Sequence, residues 1–261
     1  MSLFDNTQFA FESKSDKDLK KAYYLYKLIG SPTLTKLGTK VFNLPFAVDI
    51  PFVKPIIRET IYKQFVGGET AEQGVVVANE LYKYHVSSIL DYSIEGLTEE
   101  KQFDEVRDVM LHLVDLAKSN QSIPFVVFKP TAFGRIELFE KVGKKQTLTA
   151  EEEKSWANIR QRFEKKKKKG YDLDVNIMVD AEETWMQGAA DHLCEEMMEK
   201  YNKEKPIVWN TIQMYRTGRI EYMQENLTRA KEKEYFIGYK IVRGAYMEKE
   251  RARATEKGYP D

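Results

Sequence analysis

The chain has 261 residues, of which 31% are charged and 42% hydrophobic, and its formal net charge is +0 at pH 7. This composition is typical of a folded globular protein; it excludes a disordered chain and gives no global bias toward nucleic acid or other anionic partners. The single cysteine, Cys194, cannot form an internal disulfide, which favours a reducing compartment.

The first 84 residues are predicted to be a helical segment or arm. A helix over 16–28 is rich in Lys and Tyr and ends before Gly30, Ser31 and Pro32, which together form a helix stop signal. Two further helices are predicted. One begins after Pro55 and stops at Gly67 and Gly68, and the other covers residues 70–84. No motif indicates a function for residues 1–60.

From residue 85 onward, short apolar strands alternate with amphipathic helices. Thr98 is a predicted N-cap, and Thr149 with Glu152 matches a capping box that opens another helix. Continuous apolar strands joined by helices predict a parallel sheet, either doubly wound or closed into a barrel. The predicted strands are 86–92, 125–128, 175–179, 207–214 and 236–242.

Five consecutive lysines, Lys165 to Lys169, precede Gly170. We interpret this run as a solvated helix end that is stopped by a C-cap glycine, where cations suit the helix dipole. A site for an anionic partner, such as a membrane surface, is the alternative.

In parallel α/β folds, ligands bind at the carboxyl ends of the strands. Asp180, with Glu183 three residues on, is predicted to cap the next helix. Lys129 follows a buried strand and therefore needs a carboxylate partner, for which Asp180 is the natural candidate, or else serves a ligand. Lys240 is predicted to face the barrel interior, with a solvent-facing edge position as the alternative. The polar residues at the predicted strand ends are Asp91, Glu95, Lys129, Thr131, Asp180, Glu182, Asn210, Gln213, Lys240 and Arg243.

Several familiar sites are absent from the sequence. There is no G-x-G-x-x-G motif and no P-loop. The histidines His85, His112 and His192 are isolated and lack zinc-ligand spacing, so no metal is expected. No apolar run approaches the roughly 18 residues that span a bilayer, and early acidic residues argue against a secretory signal or transit peptide. A cytoplasmic location is therefore expected.

The last segment carries a specific resemblance. Residues 239–254 read Tyr-Lys-Ile-Val-Arg-Gly-Ala-Tyr-Met-Glu-Lys-Glu-Arg-Ala-Arg-Ala, and Gly258-Tyr-Pro-Asp follows. Together with Phe128-Lys-Pro-Thr, Val179-Asp-Ala-Glu-Glu and Asn210-Thr-Ile-Gln-Met-Tyr, in that order, this block resembles the proline dehydrogenases of the monofunctional type over residues 60–261. The resemblance implies a (β/α)₈ barrel that binds FAD noncovalently at its strand ends.

The resemblance also implies a reaction. L-Proline would transfer a hydride from C5 to N5 of FAD, giving Δ1-pyrroline-5-carboxylate, and a membrane quinone would take the electrons. The enzyme would then be peripheral to the inner membrane. By resemblance, Lys129 would bind the proline carboxylate, Asp180 would hold the cationic cluster in place, and Tyr246 would pack against the substrate ring.

The same resemblance assigns the cofactor contacts. Gln213 would contact the flavin ring, and Lys240 would place a cation near N5, where it stabilises the anionic reduced ring. Arg243, Gly244 and Ala245 would also contact FAD. Residues 85–261 would therefore form a partial FAD-binding barrel.

The chain departs from the family in length. Five strands are predicted where a barrel has eight, and the chain ends before the family's arginine pair that clamps the substrate carboxylate. We expect a truncated barrel with an exposed edge on its fifth strand, unstable or inactive alone. Two alternatives are a barrel enzyme in which Lys129 or Lys240 forms a Schiff base, and a fragment that associates with a chain supplying the missing strands.

Overall fold

The structure, a computed structural model, describes residues 5–33, 36, 55, 57–92, 94 and 96–260. Its contacts divide the chain into two units, Met1–Ser87 and Ser88–Asp261. The boundary that we predicted from the sequence lies between residues 84 and 85.

The first unit is helical in its described residues. The hydroxyls of Ser15 and Thr70 cap two of its helices by accepting hydrogen bonds from backbone N–H groups three residues on. The predicted helices 16–28 and 70–84 are confirmed, with ends that differ by one or two residues, whereas residue 56 of the third predicted helix lies outside the described residues. The elements are α1 (Thr7–Ala10), α2 (Asp16–Ile29), a π-helical segment (Arg58–Tyr62) that continues into α3 (Lys63–Phe65), and α4 (Ala71–Tyr82).

The second unit contains a five-stranded sheet with the order β1-β2-β3-β4-β5, and every neighbouring pair is parallel. Each crossover therefore moves one strand onward in the same direction, as in a barrel, whereas a doubly wound sheet reverses its order at a switch point. The predicted α/β fold of the barrel kind is confirmed. The strands are β1 (Ile89–Leu90), β2 (Phe125–Phe128), β3 (Asn176–Val179), β4 (Val208–Gln213) and β5 (Tyr239–Val242).

Six helices accompany these strands in the described part of the second unit, and a 3₁₀ turn, Pro130–Ala132, follows β2. Thr149 and Glu152 form the predicted capping box. Thr98 is not the N-cap that we predicted, because the next helix begins one residue later and Glu99 occupies the cap position. The helices are α5 (Glu100–Lys118), α6 (Ile136–Gly143), α7 (Ala150–Leu173), α8 (Thr184–Tyr201), α9 (Arg219–Glu232) and α10 (Met247–Lys257).

The core lies between the sheet and its helices. Phe128 of β2, Phe133 and Phe163 of α7 are fully buried, and their ring centres lie 4.8–5.6 Å apart. Burial of each such side chain stabilises the fold by about 1.5–3 kcal/mol. One edge of the described sheet is β5, and its Ile241 is 55% exposed.

The lysine run is not a solvated helix end. The helical period turns Lys166 and Lys167 toward the sheet, where both are fully buried, while Lys165 and Lys168 remain exposed. The Lys166 Nζ lies 4.5 Å from the centre of the Phe128 ring. Burial lowers the pKa of Lys166 well below its ordinary value, since the neutral amine loses less hydration than the cation.

Gly170 is not the C-cap of α7. The helix continues to Leu173, and Asp174, in the left-handed conformation at φ 56°, ends it. A Cβ at Gly170 would lie 2.4 Å from Cγ1 of Ile177, so this glycine permits the close approach of α7 to β3.

Candidate functional site

The strand register aligns polar residues in one row that begins at the carboxyl ends of β2 and β3 and continues inside β4 and β5. Phe128 pairs with Val179, and Val179 pairs with Asn210, so the residues one step further along these strands stand side by side. Thr211 and Lys240 pair directly at that step. Side chains at one step of a parallel sheet share a face. In order across the sheet, the row is Lys129, Asp180, Thr211 and Lys240.

Asp180 is the anion at the centre of this row. Its Oδ1 accepts hydrogen bonds from Thr211 Oγ1, at 3.2 Å, and from Lys240 Nζ. Asp180 is not the predicted helix cap, because α8 begins only at Thr184 and Glu183 occupies the cap position. The chain needs the intervening residues to turn from β3 into α8, which leaves the Asp180 carboxylate in the row.

Lys240 lies in the row, and its side chain is 30% exposed. A Schiff base forms when the amine of a lysine attacks a carbonyl carbon. The Lys240 Nζ is instead held by the Asp180 carboxylate, so the geometry does not favour the carbonyl-condensing alternative at this lysine.

Lys129, at the end of β2, is half-buried among carboxylates. Its charge opposes the rise in pKa that burial causes at both Asp91 and Glu182. The negative charge of Asp180 adds to the raised pKa of Asp91, so these acidic groups share one region at the ends of β1 to β3. The other acidic residue predicted after β1, Glu95, lies outside the described residues.

Glu182 is a site residue to which we assigned no role from the sequence. It is 4% exposed, and its carboxylate accepts hydrogen bonds from Thr131 N, at 2.9 Å, and Thr131 Oγ1, at 2.8 Å. Burial raises the pKa of Glu182 to about 7. The sequence places Glu182 and Glu183 side by side, and nothing in their spacing distinguishes the buried site residue from the helix cap.

Gln213 lies at the end of β4 and is 2% exposed. Its Nε2 donates to the backbone carbonyl of Glu182 at 2.9 Å. Its Oε1 is buried and has no hydrogen-bond partner within the described residues, whereas buried polar atoms are usually paired. Asn210, which we expected at the same rim, faces α8 instead and donates to Asp191 Oδ1 at 3.0 Å.

The segment after β5 is shaped by one close contact. Gly244 has φ 123°, and a Cβ at this position would lie 1.7 Å from the Tyr215 ring. Arg243, Gly244 and Ala245 are exposed, and the carbonyl of Arg243 accepts a hydrogen bond from the Tyr215 N–H at 3.1 Å. The β5 end is therefore held against the loop that follows β4.

Tyr246 takes the N-cap position of α10 and is half-buried. The helix that it opens is anchored elsewhere in the unit, because Glu250 accepts hydrogen bonds from Thr184 N, at 2.8 Å, and Thr184 Oγ1, at 2.7 Å. The structure thus brings Lys129, Asp180 and Lys240 together in one row. Residues 243–246 lie outside this row, on the segment that connects β5 to α10.

Two classes of feature are missing from the described part of the chain. Its side chains include no group of three or more His, Cys, Asp or Glu residues that could hold a metal ion. Its helices include none that is long and apolar enough to cross a membrane.

The sequence model of the family described as "Proline dehydrogenase" matches residues 76–261. The chain belongs to the proline dehydrogenase family. The resemblance that we inferred from the strand-end motifs is therefore confirmed.

Curated relatives of the family support this membership. The chain is 30% identical over 228 residues to "Carbapenem antibiotics biosynthesis protein CarD" of Pectobacterium carotovorum, covering 87% of this chain and 60% of that protein. It is 34% identical over 209 residues to "Proline dehydrogenase 1, mitochondrial" of Caenorhabditis elegans, covering 78% of this chain and 33% of the relative. The Drosophila melanogaster protein of the same name is 46% identical over 114 residues, covering 44% of this chain and 17% of the relative. The chain therefore spans 60% or less of the length of these relatives.

A solved structure shows the same fold. Proline utilization A (PutA) from Bdellovibrio bacteriovorus, inactivated by N-propargylglycine, superposes with a TM-score of 0.67 at 17% sequence identity. The match covers 100% of this chain and 28% of the PutA chain. At this identity the likeness shows the fold, with its parallel strands in barrel order.

Proposed function

We propose that this chain takes part in the oxidation of L-proline to Δ1-pyrroline-5-carboxylate with FAD as the cofactor. The observation that carries the proposal is the row Lys129, Asp180, Thr211 and Lys240 at the strand ends of a chain in the proline dehydrogenase family. Strand ends are where parallel α/β folds bind their ligands.

The substrate side of the site is cationic. L-Proline carries a carboxylate at neutral pH, and Lys129, half-buried at the end of β2, would bind it by a charge-assisted hydrogen bond. Asp180 would keep Lys240 in place, and Tyr246 would pack against the proline ring. During the reaction, proline C5 loses a hydride and the ring nitrogen loses a proton, which leaves a C=N bond in the product.

The residues at the ends of β4 and β5 fit a flavin. The Oε1 of Gln213 is an acceptor suited to a ring N–H, and Lys240 supplies a fixed cation within the row. Arg243, Gly244 and Ala245 present exposed backbone to a cofactor at the same end of the sheet. When bound, FAD would supply the hydride acceptor, a chemistry that no side chain provides.

We further propose that the electrons pass to a quinone, which implies contact with a membrane surface. This part rests on the family assignment, and it is compatible with a peripheral protein. Reoxidation of the reduced protein by a soluble ubiquinone analogue, compared with reoxidation by oxygen alone, tests it. A rate that the quinone does not raise would contradict this part.

The activity is tested by mixing the FAD-loaded chain, alone and together with a chain that supplies the remaining strands of the barrel, anaerobically with L-proline and following the flavin absorbance. We expect bleaching with L-proline when those strands are present, and none with D-proline at the same concentration. Bound flavin that L-proline leaves oxidised would show that this chain does not carry out the reaction. Failure to bind flavin at all would contradict the cofactor assignment.

A further inference from the structure

Glu182 forms hydrogen bonds with three parts of the candidate site. Its carboxylate holds Thr131, which follows β2, through two hydrogen bonds of 2.9 and 2.8 Å. Its carbonyl accepts from Gln213 of β4 at 2.9 Å, and its N–H donates to Gln187 of α8 at 2.8 Å. One residue therefore links the ends of β2 and β4 to the helix that follows β3.

The hydrogen bonds that fix Thr131 also restrict Lys129, because the segment between the two residues is short and stiff. Pro130 lies between them with a fixed φ, and the Ala132 N–H donates to the Lys129 carbonyl at 3.0 Å within the 3₁₀ turn. Because the turn allows little independent movement, the position of Thr131 determines where the Lys129 backbone leaves the sheet.

Glu182 also acts on Lys129 through charge. The two groups lie close enough for the Lys129 cation to stabilise the ionised carboxylate, while the neighbouring Glu183 opposes it. An ionised Glu182 competes with any carboxylate ligand for Lys129. A protonated Glu182 does not compete in this way, and its carbonyl oxygen still accepts a hydrogen bond from Thr131.

We propose that Glu182 is a positioning residue for substrate binding: its hydrogen bonds to Thr131 fix Lys129, and its charge regulates how strongly Lys129 binds the substrate carboxylate. The proposal deepens the proposed function and rests on it. It assigns to Glu182 a role in substrate affinity and no contact with the reacting atoms.

A pH dependence follows from the burial of this carboxylate. Burial, only partly offset by the two hydrogen bonds from Thr131 and the Lys129 charge, raises the pKa of Glu182 to about 7. Neither the carboxylate nor the amine of proline titrates near neutral pH. The apparent affinity for L-proline should therefore fall as the pH rises through about 7.

Three variants of the full chain separate the two effects. Glu182→Gln keeps an acceptor for the Thr131 N–H and removes the charge, whereas Glu182→Ala removes both. Glu183→Gln is the matched control, because it neutralises the adjacent carboxylate, which pairs with Lys249 at 2.7 Å. The L-proline concentration dependence of anaerobic flavin bleaching yields an apparent Kd and a limiting rate for each FAD-loaded variant.

We expect the apparent Kd of the wild-type chain to rise roughly 3- to 10-fold between about pH 6 and about pH 8. Glu183→Gln should keep this inflection at a lower pH, because its carboxylate no longer opposes ionisation of Glu182. Glu182→Gln should show no such inflection. Glu182→Ala should raise the apparent Kd roughly 10-fold at both values, with a smaller change in the limiting rate. An inflection retained in Glu182→Gln, or wild-type affinity in Glu182→Ala, would overturn the proposal.

Hydrogen exchange supplies a readout that does not depend on activity. The Thr131 amide should be protected in the wild-type chain and in Glu182→Gln, and should exchange at least roughly 10-fold faster in Glu182→Ala. If no variant bleaches with L-proline, the proposed function fails, and unchanged exchange in Glu182→Ala would separately show that Glu182 does not position the segment.

Discussion

Lys240 and Asp180 form an ion pair across β4, the strand that lies between their own strands, and Thr211 of β4 donates to the same carboxylate at 3.2 Å. Three neighbouring strands thus converge on one oxygen atom. The side chains of the pair are 30% and 26% exposed, so solvent only partly screens the interaction. This arrangement fixes the Lys240 cation within β5, level with the carboxyl end of β3.

Asp180→Ala should release Lys240 and abolish most of the proposed activity. Hydrogen bonds to charged groups contribute about 1.5–3 kcal/mol, which corresponds to a loss of roughly 10- to 100-fold in turnover. The measurement is the limiting rate of flavin bleaching, together with the Kd for FAD. Thr211→Val is the comparison, because it removes only the 3.2 Å hydrogen bond from the hydroxyl and keeps the ion pair with Lys240, so it should change both quantities less than Asp180→Ala does.

Lys129→Met should weaken L-proline binding while leaving FAD binding nearly unchanged. The lost charge-assisted hydrogen bond predicts an apparent Kd higher by roughly 10- to 100-fold. Lys203→Met is the matched control, since Lys203 is exposed and donates to the backbone of Lys233 at 2.9 Å, outside the row. Equal apparent Kd values in the two variants would rule out Lys129 as the carboxylate ligand.

Three of the four residues in the row could be predicted from the sequence, whereas Thr211 was not among the residues that we expected at the site. Each of Lys129, Asp180 and Lys240 lies in or directly after an apolar run, and parallel strands bring such positions to one edge. The Glu182 site could not be predicted in this way. Its hydrogen bonds to Thr131 depend on how the chain turns after β2 and β3, and irregular backbone has no periodicity that reveals side-chain direction.

Two sequence-based predictions failed because local patterns were compatible with more than one structure. Asp180 and Glu183 have the spacing of a capping box, but the chain turns through two further residues before Glu183 takes the cap position of α8. The lysine run has the composition of a solvated helix end. However, α7 continues past it to Leu173, and Lys166 and Lys167 lie on the buried face of the helix. In both cases tertiary packing determined the outcome.

Gly244→Ala should destabilise the loop pair at the ends of β4 and β5. The new Cβ would lie 1.7 Å from the Tyr215 ring, and φ 123° is strained for any residue with a side chain. We expect a loss of about 2–4 kcal/mol in the free energy of unfolding and weaker FAD binding. Gly258→Ala is the control, because Gly258 has φ 70° with no atom within 4 Å of the added Cβ.

The steric part of this prediction is tested by a second substitution. Tyr215→Ala in the Gly244→Ala background removes the clashing ring and should recover part of the lost stability, measured by urea unfolding. If the double variant is less stable by the sum of the two single effects, the Tyr215 contact is not the cause.

The stability of the chain should fall as Glu182 ionises. The folded protein binds this proton more tightly than the unfolded chain, since burial raises the pKa of Glu182 from 4.5 to about 7. The free energy of unfolding should therefore decrease between about pH 4.5 and about pH 7, by at most about 3 kcal/mol from this group. Comparing wild type with Glu182→Gln by urea unfolding across this range isolates the effect, and parallel pH curves would contradict it.

Lys166→Met should stabilise the protein. Lys166 is fully buried, its Nζ lies 3.3 Å from Met110 Sδ and 3.5 Å from the Val127 carbonyl, and burial together with the like charge of Lys167 lowers its pKa. Methionine fills a similar volume without a charge to desolvate. We expect a gain of about 1–4 kcal/mol, or several degrees in Tm.

The pH dependence of this gain identifies its cause. The unfolded chain binds the Lys166 proton more tightly than the folded protein does, so this group makes the wild-type chain more stable as the pH rises toward 10.5 and less stable as the pH falls. The gain from Lys166→Met should therefore be larger at about pH 6 than at about pH 9. Lys165→Met, at the exposed neighbouring position, should leave Tm nearly unchanged at both values. A gain for Lys166→Met that is equal at both values would attribute the stabilisation to packing alone.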